Sequence, residues 1–334
     1  MELFQYSRVE SVEQAVKAGS QSGTAQQGAQ VRFVAGGTTL LDLMKLDVER
    51  PLRVVDINKL PLDKVEVTAD GGLKIGALVR NSDLAHNEVV KKNYAVLSEA
   101  LLSGASAQLR NMATTGGNLL QRTRCVYFRD TAMPCNKRES GSGCSAIGGF
   151  NRMLAILGTS DACIATNPSD MNVALTALEA TVHIQGTKGE RSVPIHDFFV
   201  VPGSTPEREN VMEPGDLITY VTLPAPVAGS KSYYLKLRDR ASYEFALASA
   251  AVVATVDGGR LRHVRIAMGG VGTKPWRMVE AEKMLEGHVA EDGNLRKAAE
   301  AALRGAKLQS ENGFKVELAR RCLIHAVKQV VQIA

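Results

Sequence analysis

Val34-Ala35-Gly36-Gly37-Thr38-Thr39-Leu40-Leu41-Asp42-Leu43-Met44-Lys45-Leu46 is the stretch on which the fold turns. The β-branched and aromatic run Val31-Arg32-Phe33-Val34 before it stops at Gly36-Gly37, and an apolar stripe of Leu40, Leu41, Leu43, Met44 and Leu46 follows. A strand, a glycine turn and a helix start are predicted, with Thr38 or Thr39 placed to cap the helix. Backbone N–H groups exposed at such a turn suit phosphate. Taken alone, the same pattern also describes a tight connection with no ligand. A second turn, Thr114-Thr115-Gly116-Gly117-Asn118, and a run of cysteines just beyond it shift the balance toward a site. Two such turns would grip both ends of a pyrophosphate, and Asn118 could hold the second through its amide.

The chain has 334 residues, too many for one compact core, so two or three domains are expected. Hydrophobic residues make up 45%, the level of a globular protein rather than a disordered one. The net charge of +5 is spread along the chain without a Lys/Arg block, which argues for a solvated surface and against nucleic-acid binding. The start, Met1-Glu2-Leu3-Phe4, lacks the pattern of a cleavable signal. The apolar stretch Phe245 to Val256 is too short and too interrupted to span a bilayer, so no membrane insertion is expected.

Cysteine use is uneven. Five cysteines in a long chain argue against a secreted disulfide framework. Cys322 sits in a helical pattern and reads as a small buried residue. Cys125, Cys135, Cys144 and Cys163 fall together, spaced C-x9-C-x8-C-x18-C, in a glycine-rich segment with little periodicity. An irregular segment of that length usually has something holding it. Four thiolates could bind zinc or an iron–sulfur cluster, although the spacing fits neither paired CxxC nor a ferredoxin run. Free thiols are an equal reading of the spacing. Gly141-Ser142-Gly143 has no strand before it and is not a dinucleotide fingerprint.

Along the rest of the chain, Ser11 or a neighbour starts a short helix, and strands flank Asp70-Gly71-Gly72. Pro168-Ser169-Asp170 opens an apolar helix, and Leu217 to Leu223 is a strand stopped by Pro224. The stretch 224–230 is the best candidate linker. Beyond it come strands over Tyr233–Lys236, Ala246–Val256 and Arg260–Met268, and then helices from Val279 to Ile333.

The ordered segments VAGGTTLLDLMK, NMATTGGNLLQR, NPSDMNVALTALEA, LKLRDRASYEFALASAAV and GGVGTKPWR closely resemble the FAD-binding medium subunit of molybdenum hydroxylases. That family includes xanthine dehydrogenase, carbon monoxide dehydrogenase and aldehyde oxidoreductases, and the likeness covers essentially the whole chain. It implies an α+β fold: a two-subdomain FAD-binding domain of the vanillyl-alcohol-oxidase/PCMH-like kind at 1–226, with a cysteine-bearing loop at about 119–167. A C-terminal domain at 227–334 would carry an antiparallel sheet and a helical bundle. Asp170 lies 52 positions after Asn118, which exceeds the family's usual spacing. The inserted segment, with RCVYFRD, a central cysteine pair and ACIATNPSD, is similar to that of flavin subunits carrying an extra [4Fe–4S] cluster. Those belong to 4-hydroxybenzoyl-CoA reductase and to periplasmic aldehyde oxidoreductase, and the overall motif likeness favours the second.

The resemblance implies specific contacts. Ala35, Gly36, Gly37, Thr38, Thr39 and Leu40 would bind the FAD pyrophosphate, and Thr114, Thr115, Gly116, Gly117 and Asn118 would form a second grip. Gly104 and Ala105 would pass close to the cofactor. Asp170 would bond its adenosine or ribityl end, and Ile218 and Lys236 would lie near the flavin ring. Cys125, Cys135, Cys144 and Cys163 would hold the [4Fe–4S] cluster. The implied partners are a large molybdenum-cofactor subunit, a small [2Fe–2S] subunit and an external electron acceptor, in a heterotrimer or a dimer of heterotrimers. The chain would be cytoplasmic, or periplasmic through export with a signal-bearing partner. A zinc-binding scaffold without a redox role is the alternative of another class.

Overall fold

The computed structural model describes residues 1–333. A parallel three-stranded sheet forms first, with Arg53–Asp56 between Gln5–Arg8 and Val31–Val34. Parallel neighbours need crossovers, and the helix Val12–Gly19 supplies one of them. Ser11 caps that helix, its Oγ accepting from the Gln14 N–H at 3.3 Å. Val55, Ile57, Ala15 and Leu60 fill the small core between them.

A five-stranded antiparallel sheet follows, in the order Val65–Val67, Leu73–Gly76, Leu217–Leu223, Thr181–Gly186, Gly189–Pro194. Its inner face packs on the helices Ala95–Ser103 and Asp170–Ala177 through Ile75, Leu97, Leu101, Ala174 and Val221. The helix Asp170–Ala177 is apolar and buried on all sides, so it serves as a central strut rather than a surface helix.

The C-terminal part is an antiparallel sheet of Trp276–Arg277, Arg260–Gly269, Ala248–Asp257 and Lys231–Leu237, covered by the helices Val279–Leu285, Asp292–Ala302 and Phe314–Gln332. The period of two is explicit in its longest strand. Ala248, Ala250, Val252 and Ala254 face the helices, while Ala251 joins the core of the preceding part. Small alanines on that second face bring the sheet close to the central strut. Mixed helices and antiparallel sheets are the expected α+β class. No helix is long and apolar enough to cross a membrane among the described residues.

The segment 120–167 is irregular apart from one turn of helix, Val126–Arg129, yet it is bonded throughout. Its end runs beside the C-terminal sheet: the Ile156 and Leu157 N–H groups both donate to the Val271 carbonyl, at 2.8 and 3.0 Å. Asn151 exchanges bonds with Glu311, its N–H donating to Glu311 Oε2 and its Oδ1 accepting from the Glu311 N–H, each at 3.0 Å. Lys315 rises from the last helix and donates to the carbonyls of Leu154 (2.9 Å), Met153 (3.2 Å) and Gly270. With no carboxylate beside it, this fully buried lysine is a three-way clasp on backbone.

Candidate functional site

The strand Val31–Val34 ends in the glycine turn, and the helix Leu40–Lys45 begins immediately after it. Thr39 occupies the cap position but makes no side-chain cap bond, contrary to the sequence expectation. The N–H groups of Gly36, Gly37, Thr38, Thr39 and Leu40 find no acceptor in the described protein. A run of five free donors is unusual for folded backbone, which pairs nearly all such groups. Behind the turn, Asn58 Nδ2 donates to the Ala35 carbonyl at 2.9 Å, and Asp56 Oδ1 accepts from Asn58, fixing the loop from the rear. Gly36 is obligatory: a Cβ there would stand 1.9 Å from the Met112 carbonyl oxygen. Its closeness brings the first turn against the segment that leads into the second.

That second turn differs from expectation. Thr115–Leu119 is a short helix capped by Thr114. Its donors are already paired: Thr115 N–H to the Val79 carbonyl at 2.9 Å, Gly116 to Ala77 at 2.8 Å, Gly117 to Thr114 Oγ1 at 3.2 Å and Asn118 to Thr114 at 2.8 Å. Helix capping and the neighbouring strand end have claimed the groups that were expected to grip phosphate. Asn118 uses its side chain to reach out, Oδ1 accepting from Ser169 Oγ at 2.7 Å.

Between the turns lies a cleft of about 250 Å³. Ala35 to Leu40, Thr114, Gly116, Gly117 and Ile218 line it, and Thr115, Asn118, Gly104, Ala105, Asp170 and Lys236 do not. Asp170 lines a side cavity of about 150 Å³ that shares Thr123, Thr166, Asn167 and Pro168 with the cleft. Lys236 Nζ is paired with Asp170 Oδ2 at 2.8 Å and also donates to the Ser103 carbonyl at 3.1 Å. Tyr234 Oη donates to the other carboxylate oxygen at 2.6 Å, and burial with that carboxylate raises the Tyr234 phenol well above its usual range. Gly104 passes beside the pair, where a Cβ would lie 3.3 Å from Asp170 Oδ2, and Ala105 follows at φ +51°. Of the residues expected at one cofactor, part line the cleft, Asp170 lines the side cavity, and Thr115, Asn118, Gly104, Ala105 and Lys236 line neither.

Sequence reasoning missed the polar floor of the cleft. Arg122 Nη1 donates to Glu49 Oε1 and Gln27 Oε1, both at 2.6 Å, and Nε pairs with Glu209. Arg32 completes the set through Glu49 at 2.9 Å. Arg122 directly follows the TTGGNLLQ segment, but its partners lie far away in sequence, so no local signal reveals them.

The four cysteines converge. Cys125, Cys135, Cys144 and Cys163 line one small cavity with about 10 Å³ of free space, and their lining set contains no His, Asp or Glu. Cys135 and Cys144 face each other across an isolated bridge. The Ala165 N–H donates to Cys163 Sγ at 3.4 Å. Burial, helped by the neighbouring Cys135 and Cys163, raises the Cys125 thiol to about 11. Among the described residues no group of three or more His, Cys, Asp or Glu is gathered tightly enough to hold a single metal ion. What fits a soft metal group here is the chemistry of the donors, four sulfurs and no oxygen ligand. Arg129 clasps Asp42 with two bonds, at 2.8 and 3.0 Å, tying the Cys125 turn to the helix at the cleft.

Residues 2–226 match the FAD binding domain in molybdopterin dehydrogenase, and residues 232–330 match the CO dehydrogenase flavoprotein C-terminal domain. The chain belongs to the FAD-binding medium subunits of molybdenum hydroxylases. Within that family it is 51% identical to the aldehyde oxidoreductase FAD-binding subunit PaoB of Escherichia coli (strain K12), over 97% of this chain and 96% of that one. The glyceraldehyde dehydrogenase medium chain of Sulfolobus acidocaldarius is 30% identical over 89% of this chain and 85% of its own. Among solved structures, carbon monoxide dehydrogenase from Hydrogenophaga pseudoflava superimposes with a TM-score of 0.76 at 25% identity, covering 98% of this chain and 97% of that one. As a medium subunit of this family, the chain is an oxidoreductase subunit. Its cleft fits FAD on the structure's own terms: a groove beside a run of unpaired backbone donors, on a glycine turn packed closely against the Met112 carbonyl.

Proposed function

We propose that this medium subunit is the FAD-carrying electron-transfer component of a molybdenum-containing aldehyde oxidoreductase. It would work with a large molybdenum-cofactor subunit and a small [2Fe–2S] subunit, pass electrons to an external acceptor, and carry a [4Fe–4S] cluster on Cys125, Cys135, Cys144 and Cys163. One observation carries the reading: five unpartnered backbone donors line a cleft that shares a wall with a cavity lined by four cysteines. The aldehyde assignment is supported by the 51% identity to a subunit of that name. We divide the chain at about residue 226, with the cysteine loop as an insert in the first domain.

In this reading the N–H groups of Gly36 to Leu40 bind the pyrophosphate, with Ala35 held behind them by Asn58. Thr114, Gly116 and Gly117 form the opposite wall, and Thr115 and Asn118 anchor that wall to the protein. Ile218 supplies apolar surface, while Asp170 lines the side cavity that shares residues with the cleft and is held there by Lys236, with Gly104 packed beside it. When bound, FAD supplies a junction between one-electron iron–sulfur centres and an acceptor, and thiolate-held iron supplies a further one-electron centre. No acid, base or nucleophile is required of the protein, whose task is to bind, orient and tune.

The test is visible absorption with iron and acid-labile sulfide analysis on the anaerobically purified complex, with wild-type chain and with Cys135→Ser. Flavin bands with four additional irons, lost in Cys135→Ser while flavin stays, are expected. Flavin without those irons overturns the cluster, and a complex without flavin overturns the whole reading.

A further inference from the structure

The cleft and the cysteine cavity meet at a wall made of Lys137, Cys163 and Ala165, which line both. Lys137 is the one ionised side chain in the lining of the cysteine cavity among the described residues. It is 7% exposed. Its Nζ donates to the Pro206 carbonyl at 2.8 Å and pairs with Glu209 Oε1 at 3.1 Å. Both acceptors come from a loop distant in sequence, so the lysine is held in place rather than solvated.

Glu209 is shared. Its other oxygen pairs with Arg122, which also binds Glu49, which in turn binds Arg32. Three cations therefore face two carboxylates in a continuous buried chain, leaving an excess of one positive charge. The end of that chain nearest the sulfurs is Lys137. A buried charge is poorly screened, and it stabilises added negative charge nearby far more than a surface lysine does. Reduction adds one electron to a centre, so a fixed cation beside it raises its reduction potential.

We infer that Lys137, locked by Glu209, is a positioning residue that sets the potential of the redox group in the cysteine cavity by presenting a fixed positive charge at the shared wall. This rests on the reading that the four cysteines hold a [4Fe–4S] cluster. Lys137 makes no bond to sulfur in the structure and acts through space.

The experiment is an anaerobic redox titration of the whole complex, followed by visible absorption and electron paramagnetic resonance, with Lys137→Met, Lys137→Arg and Glu209→Gln. Lys137→Met is expected to lower the cluster midpoint, so that at a fixed poise the oxidised-to-reduced ratio rises about tenfold, equivalent to about 59 mV for a one-electron couple. Lys137→Arg keeps the charge and is expected within about threefold of wild type. Glu209→Gln removes a negative charge and is expected to shift the midpoint upward. A merely structural lysine would lower iron content or stability without producing shifts of opposite sign in the two charge variants. A full-iron Lys137→Met complex with an unmoved midpoint overturns the inference. If Lys137→Met does not assemble, Lys137→Gln decides: a lowered midpoint supports the inference, and an unmoved or raised midpoint overturns it. Wild-type complex lacking the extra iron and sulfide sinks the cluster and this inference together, whereas full wild-type iron with unmoved variants sinks this inference alone.

Discussion

At Gly36 to Leu40 the backbone leaves five donors unpaired beside a cleft of about 250 Å³, whereas the cysteine cavity nearby keeps about 10 Å³ and is closed in by bonds from every side. The first is built by contiguous residues and the geometry of one glycine turn. The second is assembled from residues up to 38 positions apart, Cys125 to Cys163, and held by contacts with the C-terminal part. Open, locally coded donors suit a large dissociable cofactor, while a closed, stitched pocket suits a group that stays in place. Both depend on the same floor of buried charge, so they are separate in construction and joined in electrostatics.

The largest effects should separate the two sites. Gly36→Val places side-chain carbon against the Met112 carbonyl and is expected to abolish flavin binding, while leaving the irons of the cysteine cavity intact. Cys135→Ser is expected to do the reverse. Flavin and iron contents measured on both variants check the crossing, and simultaneous loss of both groups in both variants would break the comparison. Next, Asp170→Ala strands the buried Lys236 and removes the acceptor of Tyr234, at a cost of about 3–5 kcal/mol in stability. Adding Lys236→Met should recover part of that loss in denaturant unfolding. Strict additivity would show that the pair is not coupled.

Much of this was legible in the sequence, for identifiable reasons. Strand, glycine turn and helix at Val31–Lys45 follow from local chemistry, as do the helix starts at Ser11 and at Ser169-Asp170, where Ser11 and Ser169 prove to be the caps. What escaped depends on partners brought from elsewhere. The donors of Thr115 and Gly116 look available in sequence, but the carbonyls of Val79 and Ala77, 36 and 39 residues earlier, take them. Lys236, expected near the flavin ring, is instead paired with Asp170, 66 residues away. The Arg122 network spans still longer separations. Local turn chemistry survives translation into structure; long-range pairing of charge has no period to detect.

The stitching of the cysteine segment offers a sharper test with a smaller effect. Lys315→Met leaves the carbonyls of Leu154 and Gly270 without the lysine's buried donor, while the Met153 carbonyl keeps the Thr166 hydroxyl, a loss of about 3 kcal/mol. Burial, with a smaller contribution from Arg152, pulls Lys315 down to about 7 from the ordinary 10.5. Between those values the unfolded chain binds the proton and the folded chain does not. Stability is therefore expected to rise with pH across that window and to be lowest below about 7. Lys315→Met should flatten that slope, and a slope unchanged in the variant would assign it to other groups.

The smallest expected effect probes the joint between the two glycine turns and the rest of the fold. Ser169 is 2% exposed and does two things with one hydroxyl. It accepts from the Asn172 N–H at 3.0 Å, capping the central helix, and it donates to Asn118 Oδ1 at 2.7 Å, anchoring the second turn. Ser169→Ala removes the cap at about 1 kcal/mol. Asn118 Oδ1 keeps its bond from Gln121, so the wall of the cleft should hold its position. Flavin affinity is accordingly expected to stay within a few-fold of wild type while the unfolding midpoint falls slightly. A large loss of flavin affinity with little change in stability would mean that the second turn positions the cofactor through Asn118, and that the cleft is less locally coded than its first turn suggests.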